Sequence, residues 1–282
     1  MHMASVKQHF SGKTAIISGG SKGIGKAVAL EFVKAGGSVC IIARNKNDLK
    51  TASDEISNAR IIDSQSVTTI SCDTTDMKKL KPLIEAHIKK SGVPDYLMNF
   101  VGYAQPRYIQ DYTIEDFKKN METNYYGQLV PIIIVLPHFI KRRSGHIVTC
   151  SSLLGYLGMI GYATYCPTKF AICGLTEALR SELAPQGIRF SVLYPPDTQT
   201  PGFDNENRTK PAEVMIMSET GGLLDPGEVA QKLIKGIMQN KFYIHPGQSR
   251  LLWAIVRHAP NLAHKIMDGE FKKAKQRLSK KI

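Results

Sequence analysis

The chain has 282 residues, 43% of them hydrophobic, which supplies a full core for one large α/β unit. Its 37 Lys and Arg against 24 Asp and Glu leave a formal charge of +13, which favours anionic partners: phosphates, acidic lipid surfaces or nucleic acid. No membrane span or signal peptide is predicted, because the longest apolar run, around Leu129 to Ile140, is broken by Pro131, Pro137 and His138, and the first residues have no long apolar core.

In chain order, short β-branched runs at 14–18, 38–43, 66–71, 96–101, 145–150, 189–194 and 241–244 read as strands. Stretches with helical periodicity lie among them, for example at 26–35, 77–90, 117–142, 162–183 and 226–239. Apolar runs without polar alternation predict strands covered on both faces, so the expected class is α/β. The expected fold is a Rossmann-type doubly wound parallel sheet of about seven strands flanked by helices, with ligands at the strands' carboxyl ends. Residues 1–246 form the expected nucleotide-binding domain, including a substrate loop or lid at 195–224. Residues 247–282 form a C-terminal amphipathic and basic helical extension, either part of that domain or peripheral to it.

After the first strand comes Ser18-Gly19-Gly20-Ser21-Lys22-Gly23-Ile24-Gly25. Glycines here let a strand turn tightly into a helix, so that backbone N–H groups approach a pyrophosphate. An ordinary tight loop is the competing reading, and the position between strand and helix favours the phosphate. Where NAD sites usually place a carboxylate for the ribose 2′-OH, the second strand ends in Ala43-Arg44-Asn45. With no acid there, and with Arg44 and Lys22 at hand for a 2′-phosphate, NADP(H) is the expected cofactor. Asp73, after the third strand, is a candidate acceptor for the adenine amino group, and Asn99 ends the fourth strand on the cofactor's expected path.

Past the fifth strand run Ser151-Ser152, a loop with Gly155, Gly158 and Gly161, and then Tyr162 through Lys169. Tyr165 and Lys169 are four apart on a helix and share a face, which puts an ammonium beside a phenol. Such a charge is expected to lower the phenol from its ordinary value near 10 and make a tuned acid/base. Ser152, with Ser151 as the alternative, would hydrogen-bond the substrate oxygen while Tyr165 moves the proton. Pro167 belongs in a helix's first turn, so that helix is expected to begin between Tyr162 and Tyr165. Cys166 is expected to be a packing residue. The five cysteines form no CxxC pair and no metal-ligand spacing, so no metal is expected, and a reducing, cytoplasmic setting fits them.

Together, Gly19, Gly23, Gly25, Asn99, Gly102, Asn124, Ser152, Tyr165 and Lys169 resemble the short-chain dehydrogenase/reductase family over about Gly12 to Tyr194. The resemblance implies a catalytic tetrad of Asn124, Ser152, Tyr165 and Lys169: Tyr165 as proton donor or acceptor, Ser152 as substrate polariser, Lys169 on the phenol and the nicotinamide ribose, and Asn124 holding a proton-relay water. It also implies assembly as a homodimer or homotetramer. Two elements depart from the pattern, Asn99-Phe100-Val101-Gly102 and Cys166-Pro167, and neither removes a catalytic side chain.

The segment from Tyr194 to Pro211 resembles the substrate loop of one branch of that family, the 3-ketodihydrosphingosine reductases, as does Ser218-Glu219-Thr220. That implies a long-chain keto lipid substrate. Pro195, Pro196 and Pro201 would stiffen the loop base, with Pro195, Thr198 and Thr200 beside the cofactor. A reductase for a 3-oxoacyl thioester, a steroid or a retinoid, and a non-catalytic NADP-binding sensor, stay open as other readings. After Pro260, apolar Leu262, Ile266, Met267 and Phe271 precede a basic run from Lys272 to Lys281. This tail reads either as a peripheral contact with anionic lipid or as a core-packing helix with a solvated basic end. Net charge without a recognised binding motif gives no case for nucleic acid.

Overall fold

In the computed structural model, residues 3–247 and 249–280 are described. Met1, His2, Gln248, Lys281 and Ile282 lie outside them, and with them the last lysine of the basic tail; the side chain of Thr220 is likewise outside.

Along the chain run α1 (Met3–Phe10), β1 (Thr14–Ser18), α2 (Gly23–Lys34), β2 (Ser38–Ala43), α3 (Lys46–Asn58), β3 (Val67–Ser71), α4 (Met77–Ser91), β4 (Tyr96–Asn99), α5 (Ile114–Met121) and α6 (Gly127–Arg142). There follow β5 (Gly145–Cys150), α7 (Tyr165–Leu183), β6 (Ile188–Leu193), α8 (Pro201–Asn207), α9 (Ala212–Gly221), α10 (Pro226–Met238), β7 (Tyr243–Ile244), α11 (Ser249–His258) and α12 (Pro260–Ser279).

The strands form one sheet in the order β3-β2-β1-β4-β5-β6-β7, every pair parallel. The reason lies in the unalternated apolar runs: β1, β4 and β5 are buried along nearly their whole length, so both faces need cover. One core packs Ile17, Ile41, Met98 and Val148 with Phe32 of α2 and Leu233 of α10. The other packs Ile16, Ile42, Leu97 and Ile147 with Ile84 of α4 and Phe139 of α6. Burying each of these large side chains stabilises the fold by about 1.5–3 kcal/mol.

Strand order reverses between β1 and β4, and chains leaving their carboxyl ends on opposite courses open a crevice there. The glycine-rich turn and the segment from Asn99 to Gly102 border it.

Three departures from the expected elements have physical causes. α3 offers only Leu49, Ala52 and Ile56 to the core among thirteen residues, too sparse a stripe to stand out; Asn45 caps it by accepting from the backbone N–H of Asn47 and Asp48. The single helix expected at 117–142 is α5 and α6 joined by a π-helical stretch, Glu122–Tyr126. The loop at 195–224 contains α8 and α9; Thr200 caps α8 from the Phe203 N–H, and a bridge between Thr198 and Leu224 closes the loop's base.

Candidate active site

The turn after β1 is shaped by what a Cβ would hit. Gly19 has φ +72°, and a Cβ there would lie 2.9 Å from the Phe100 carbonyl carbon; at Gly25 it would lie 2.3 Å from the Gly19 carbonyl oxygen. Gly23 has φ +54° and faces the Thr200 methyl, 3.1 Å from where its Cβ would be. Ser21 and Lys22 complete the turn, and Ile24 packs on the core below. Lys22 sits at the N-cap of α2 with no side-chain hydrogen bond to the helix, so no side chain of the cap satisfies the N–H groups that open α2. That cradle fits a nucleotide pyrophosphate. Thr200, from the far loop, stands against Gly23 of that turn.

The two candidate 2′-phosphate ligands are exposed. Lys22 Nζ lies 2.7 Å from Asp48, and Arg44 Nη1 lies 3.6 Å from Asp73. Asp73 turns its other oxygen to the N–H and hydroxyl of Thr75. Asn99 is fully buried, accepting from the Ser18 hydroxyl at 2.8 Å, while its Nδ2 has no protein partner among the described residues. Its side chain ties β4 to β1 at the floor of the crevice. Pro195 accepts at its carbonyl from Leu153 N–H, linking the loop base to the segment after β5. The Thr198 hydroxyl is committed to the Pro196 carbonyl at 2.8 Å, and the residue is 5% exposed.

The four candidate catalytic residues converge. α7 begins at Tyr165 with Pro167 in its first turn, and Lys169 lies one turn on with its ammonium 5.4 Å from the Tyr165 ring centre. Lys169 is 3% exposed, and Nζ donates to the Cys150 carbonyl at 3.0 Å. Gln128 clamps the same strand end, donating to that carbonyl and accepting from the Cys150 N–H. Ser152 therefore leaves β5 on a fixed backbone, its hydroxyl accepting from Leu154 N–H and lying near enough to the Tyr165 phenol to act on it. Ser151 is buried and donates to the Lys169 carbonyl, so of the two serines it serves the framework and Ser152 faces the phenol.

Asn124 lies in the π-helical stretch, a distortion that recurs at functional sites because it re-aims a side chain. Its amide accepts from Tyr103 N–H and donates to the Tyr103 carbonyl, Asn120 and Thr168. A Cβ at Gly102 would stand 3.2 Å from Lys169 Nζ and 3.3 Å from Asn124 Oδ1, so glycine keeps these two side chains beside the crevice.

The electrostatics correct one expectation. The Tyr165 phenol is pushed well above its ordinary value, chiefly by burial, with the Glu206 carboxylate adding to the rise and the Ser152 hydrogen bond opposing it. Burial also pulls the Lys169 ammonium down. Removing both groups from water outweighs their proximity. In this state Tyr165 is a protonated phenol at neutral pH, suited to giving a proton to a developing alkoxide.

Sequence reasoning passed over a group that the fold assembles over this site. The Tyr162 hydroxyl donates to Glu206 Oε1 at 2.5 Å, and Lys210 Nζ lies 3.1 Å from the same oxygen and 3.2 Å from the Ser218 hydroxyl. Asp197 lies near enough to Lys210 and the Ser218 hydroxyl for both to stabilise its charged form. Only the i, i+4 spacing of Glu206 and Lys210 is visible in the sequence, and it says nothing of their burial.

Residues 13–211 match a family model described as short chain dehydrogenase. The chain is 39% identical over 233 residues to the 3-dehydrosphinganine reductase of Danio rerio, covering 82% of this chain and 70% of that protein. It is 38% identical over 261 residues to the 3-ketodihydrosphingosine reductase of Dictyostelium discoideum, covering 86% and 78%. A solved structure of a short chain dehydrogenase/reductase from Burkholderia phymatum in complex with NAD matches with a TM-score of 0.77 at 22% identity, over 88% of this chain and 94% of its own; at that identity the likeness speaks for the fold.

Proposed function

The chain belongs to the short-chain dehydrogenase family, and from that premise we propose that it reduces the keto group of 3-ketodihydrosphingosine to the alcohol of dihydrosphingosine, with NADPH as donor. It is an oxidoreductase with a nicotinamide dinucleotide cofactor, which supplies the hydride to the carbonyl carbon. The observation that carries the proton-donor role is the partly buried Tyr165 phenol, raised by its surroundings, with Ser152 beside it. Ser152 holds the carbonyl oxygen and stabilises charge as it develops, and Tyr165 gives that oxygen its proton. Lys169 supplies positive charge under the phenol as the proton leaves, and Asn124 fixes the Tyr103 backbone and α7 around them. The substrate reading rests on the likeness to reductases of that name. Consumption of NADPH on adding 3-ketodihydrosphingosine, with dihydrosphingosine as product, tests it; no turnover of any long-chain ketone refutes it.

NADPH rather than NADH rests on Arg44 and Lys22 at the crevice rim. Their carboxylate partners form exposed pairs worth at most about 1 kcal/mol, which a 2′-phosphate readily displaces. Arg44→Ala is expected to lower the NADPH over NADH preference in kcat/KM by about tenfold or more, the worth of a charge-assisted hydrogen bond; an unchanged ratio would remove Arg44 from the site.

No helix among the described residues is long and apolar enough to cross a membrane. A cytoplasmic enzyme peripheral to the membrane is the reading we favour for a lipid substrate. Leu251 of α11 and Leu262 and Ile266 of α12 are exposed by 67%, 51% and 41%, beside a basic tail. Salt-sensitive sedimentation with anionic vesicles, absent with neutral ones, is the expected result. Self-association as a homodimer or homotetramer is supported by exposed Ile133, Ile140 and Phe170 on α6 and α7, and a mass by light scattering checks it.

A further inference from the structure

The group around Glu206 carries more charge than its own members balance. Asp197 and Glu206 bring two carboxylates and Lys210 one ammonium, whose side chain is completely buried. Lys210 is held in place by the Ser218 hydroxyl and by the Phe203 ring, 4.5 Å from its Nζ. With both carboxylates ionised the cluster has one negative charge in excess, and a charge withdrawn from water without a partner is unfavourable unless a proton or a cation joins it.

Its position relative to the reacting atoms is set by Tyr162. This residue stands one turn before Tyr165, with ring centres 5.9 Å apart, and its hydroxyl reaches Glu206. Glu206 is near enough to the Tyr165 phenol to raise it. Both polar contacts of Glu206 given above fall on Oε1, and a carboxylate offers about four acceptor sites over its two oxygens, so Oε2 retains capacity for a donor. Burial pushes Glu206 and Asp197 up, and the Lys210 ammonium opposes the rise in both.

We propose that Glu206 receives the ammonium of the substrate and so selects a ketone with a free amine on the neighbouring carbon. The inference rests on the substrate reading above, because in that molecule the amine is one carbon from the keto group. A carbonyl oxygen held by Ser152 and Tyr165 then places its α-ammonium within the cluster's reach. The added cation balances the excess charge, while a neutral amide or a plain methylene leaves it uncompensated. Tyr162 and Lys210 act as positioning residues that hold the Glu206 carboxylate toward the reacting centre.

The test compares kcat/KM for 3-ketodihydrosphingosine, its N-acetyl form and an amine-free ketone of equal chain length. The unaltered protein should favour the free amine by about tenfold or more, as for a hydrogen bond to a charged group. Glu206→Gln should bring the ratio close to one, with the loss falling on KM for the amine, whereas Tyr162→Phe, which keeps the carboxylate, should retain a preference. Product inhibition adds a measurement that needs no variant: dihydrosphingosine should inhibit about tenfold more tightly than its N-acetyl form. Equal turnover of amine and amine-free ketones by the unaltered protein, or an equal loss on all three ketones in Glu206→Gln, overturns the inference and leaves the reductase reading intact. Failure to turn over any of the three refutes the reductase reading and this inference with it.

Discussion

Tyr165→Phe is expected to lower kcat for ketone reduction by about 10²–10⁴-fold, the range for loss of a positioned general acid. The substitution removes one hydroxyl and keeps the ring that packs beside Tyr162 and over Lys169, so folding and cofactor binding should persist. Quenching of protein fluorescence by NADPH, measured beside the rate, separates loss of chemistry from loss of binding. The sign of the pH dependence follows from the raised phenol. The proton donor must be in its acid form, and burial holds that form to well above the ordinary value near 10. Reduction by the unaltered enzyme should therefore show no loss from Tyr165 ionisation between pH 7 and about 9. A limb in kcat falling through pH 8 and absent from the remaining activity of Tyr165→Phe would mean that the phenol is lowered during turnover, as its spacing from Lys169 alone suggests.

Gly25→Ala is expected to weaken cofactor binding by about tenfold to a hundredfold, matching roughly 1–3 kcal/mol of overpacking. The cause is steric. The new methyl would lie 2.3 Å from the Gly19 carbonyl oxygen and 2.9 Å from its carbon, so the turn must open to admit it. Both neighbours are backbone, and no rotamer change relieves the contact. Opening the turn shifts Gly19 against Phe100 and disturbs the N–H groups at the start of α2. Calorimetric titration with NADPH reads the loss, and an affinity within twofold of the unaltered protein would show that the turn does not hold the pyrophosphate.

Much of the architecture was legible because its signals are local. Each strand is a short apolar run, and the glycine turn is a contiguous motif whose residues serve the same backbone path. Tyr165 and Lys169 are joined by one helical turn, and Pro167 marks where that helix begins. The weaker features depended on context. α3 was missed because three core contacts in thirteen residues give little periodicity, and the break between α5 and α6 was missed because a π-helical stretch leaves the composition of a helix unchanged.

The sequence by itself determined most of the order of strands and helices and the one-turn pairing of Tyr165 with Lys169, since spacing along one strand or helix dictates which side chains share a face; the family and the candidate tetrad came from the resemblance of its motifs. Tertiary structure decided what that pattern could not carry. It chose Ser152 over Ser151 by turning one hydroxyl to the phenol and the other to the Lys169 carbonyl. It reversed the expected shift of Tyr165, because burial depends on everything packed around a group and spacing describes only one neighbour. It also brought Glu206 to Tyr162 from 44 residues away, a contact made by the folded loop over the site and absent from any local pattern.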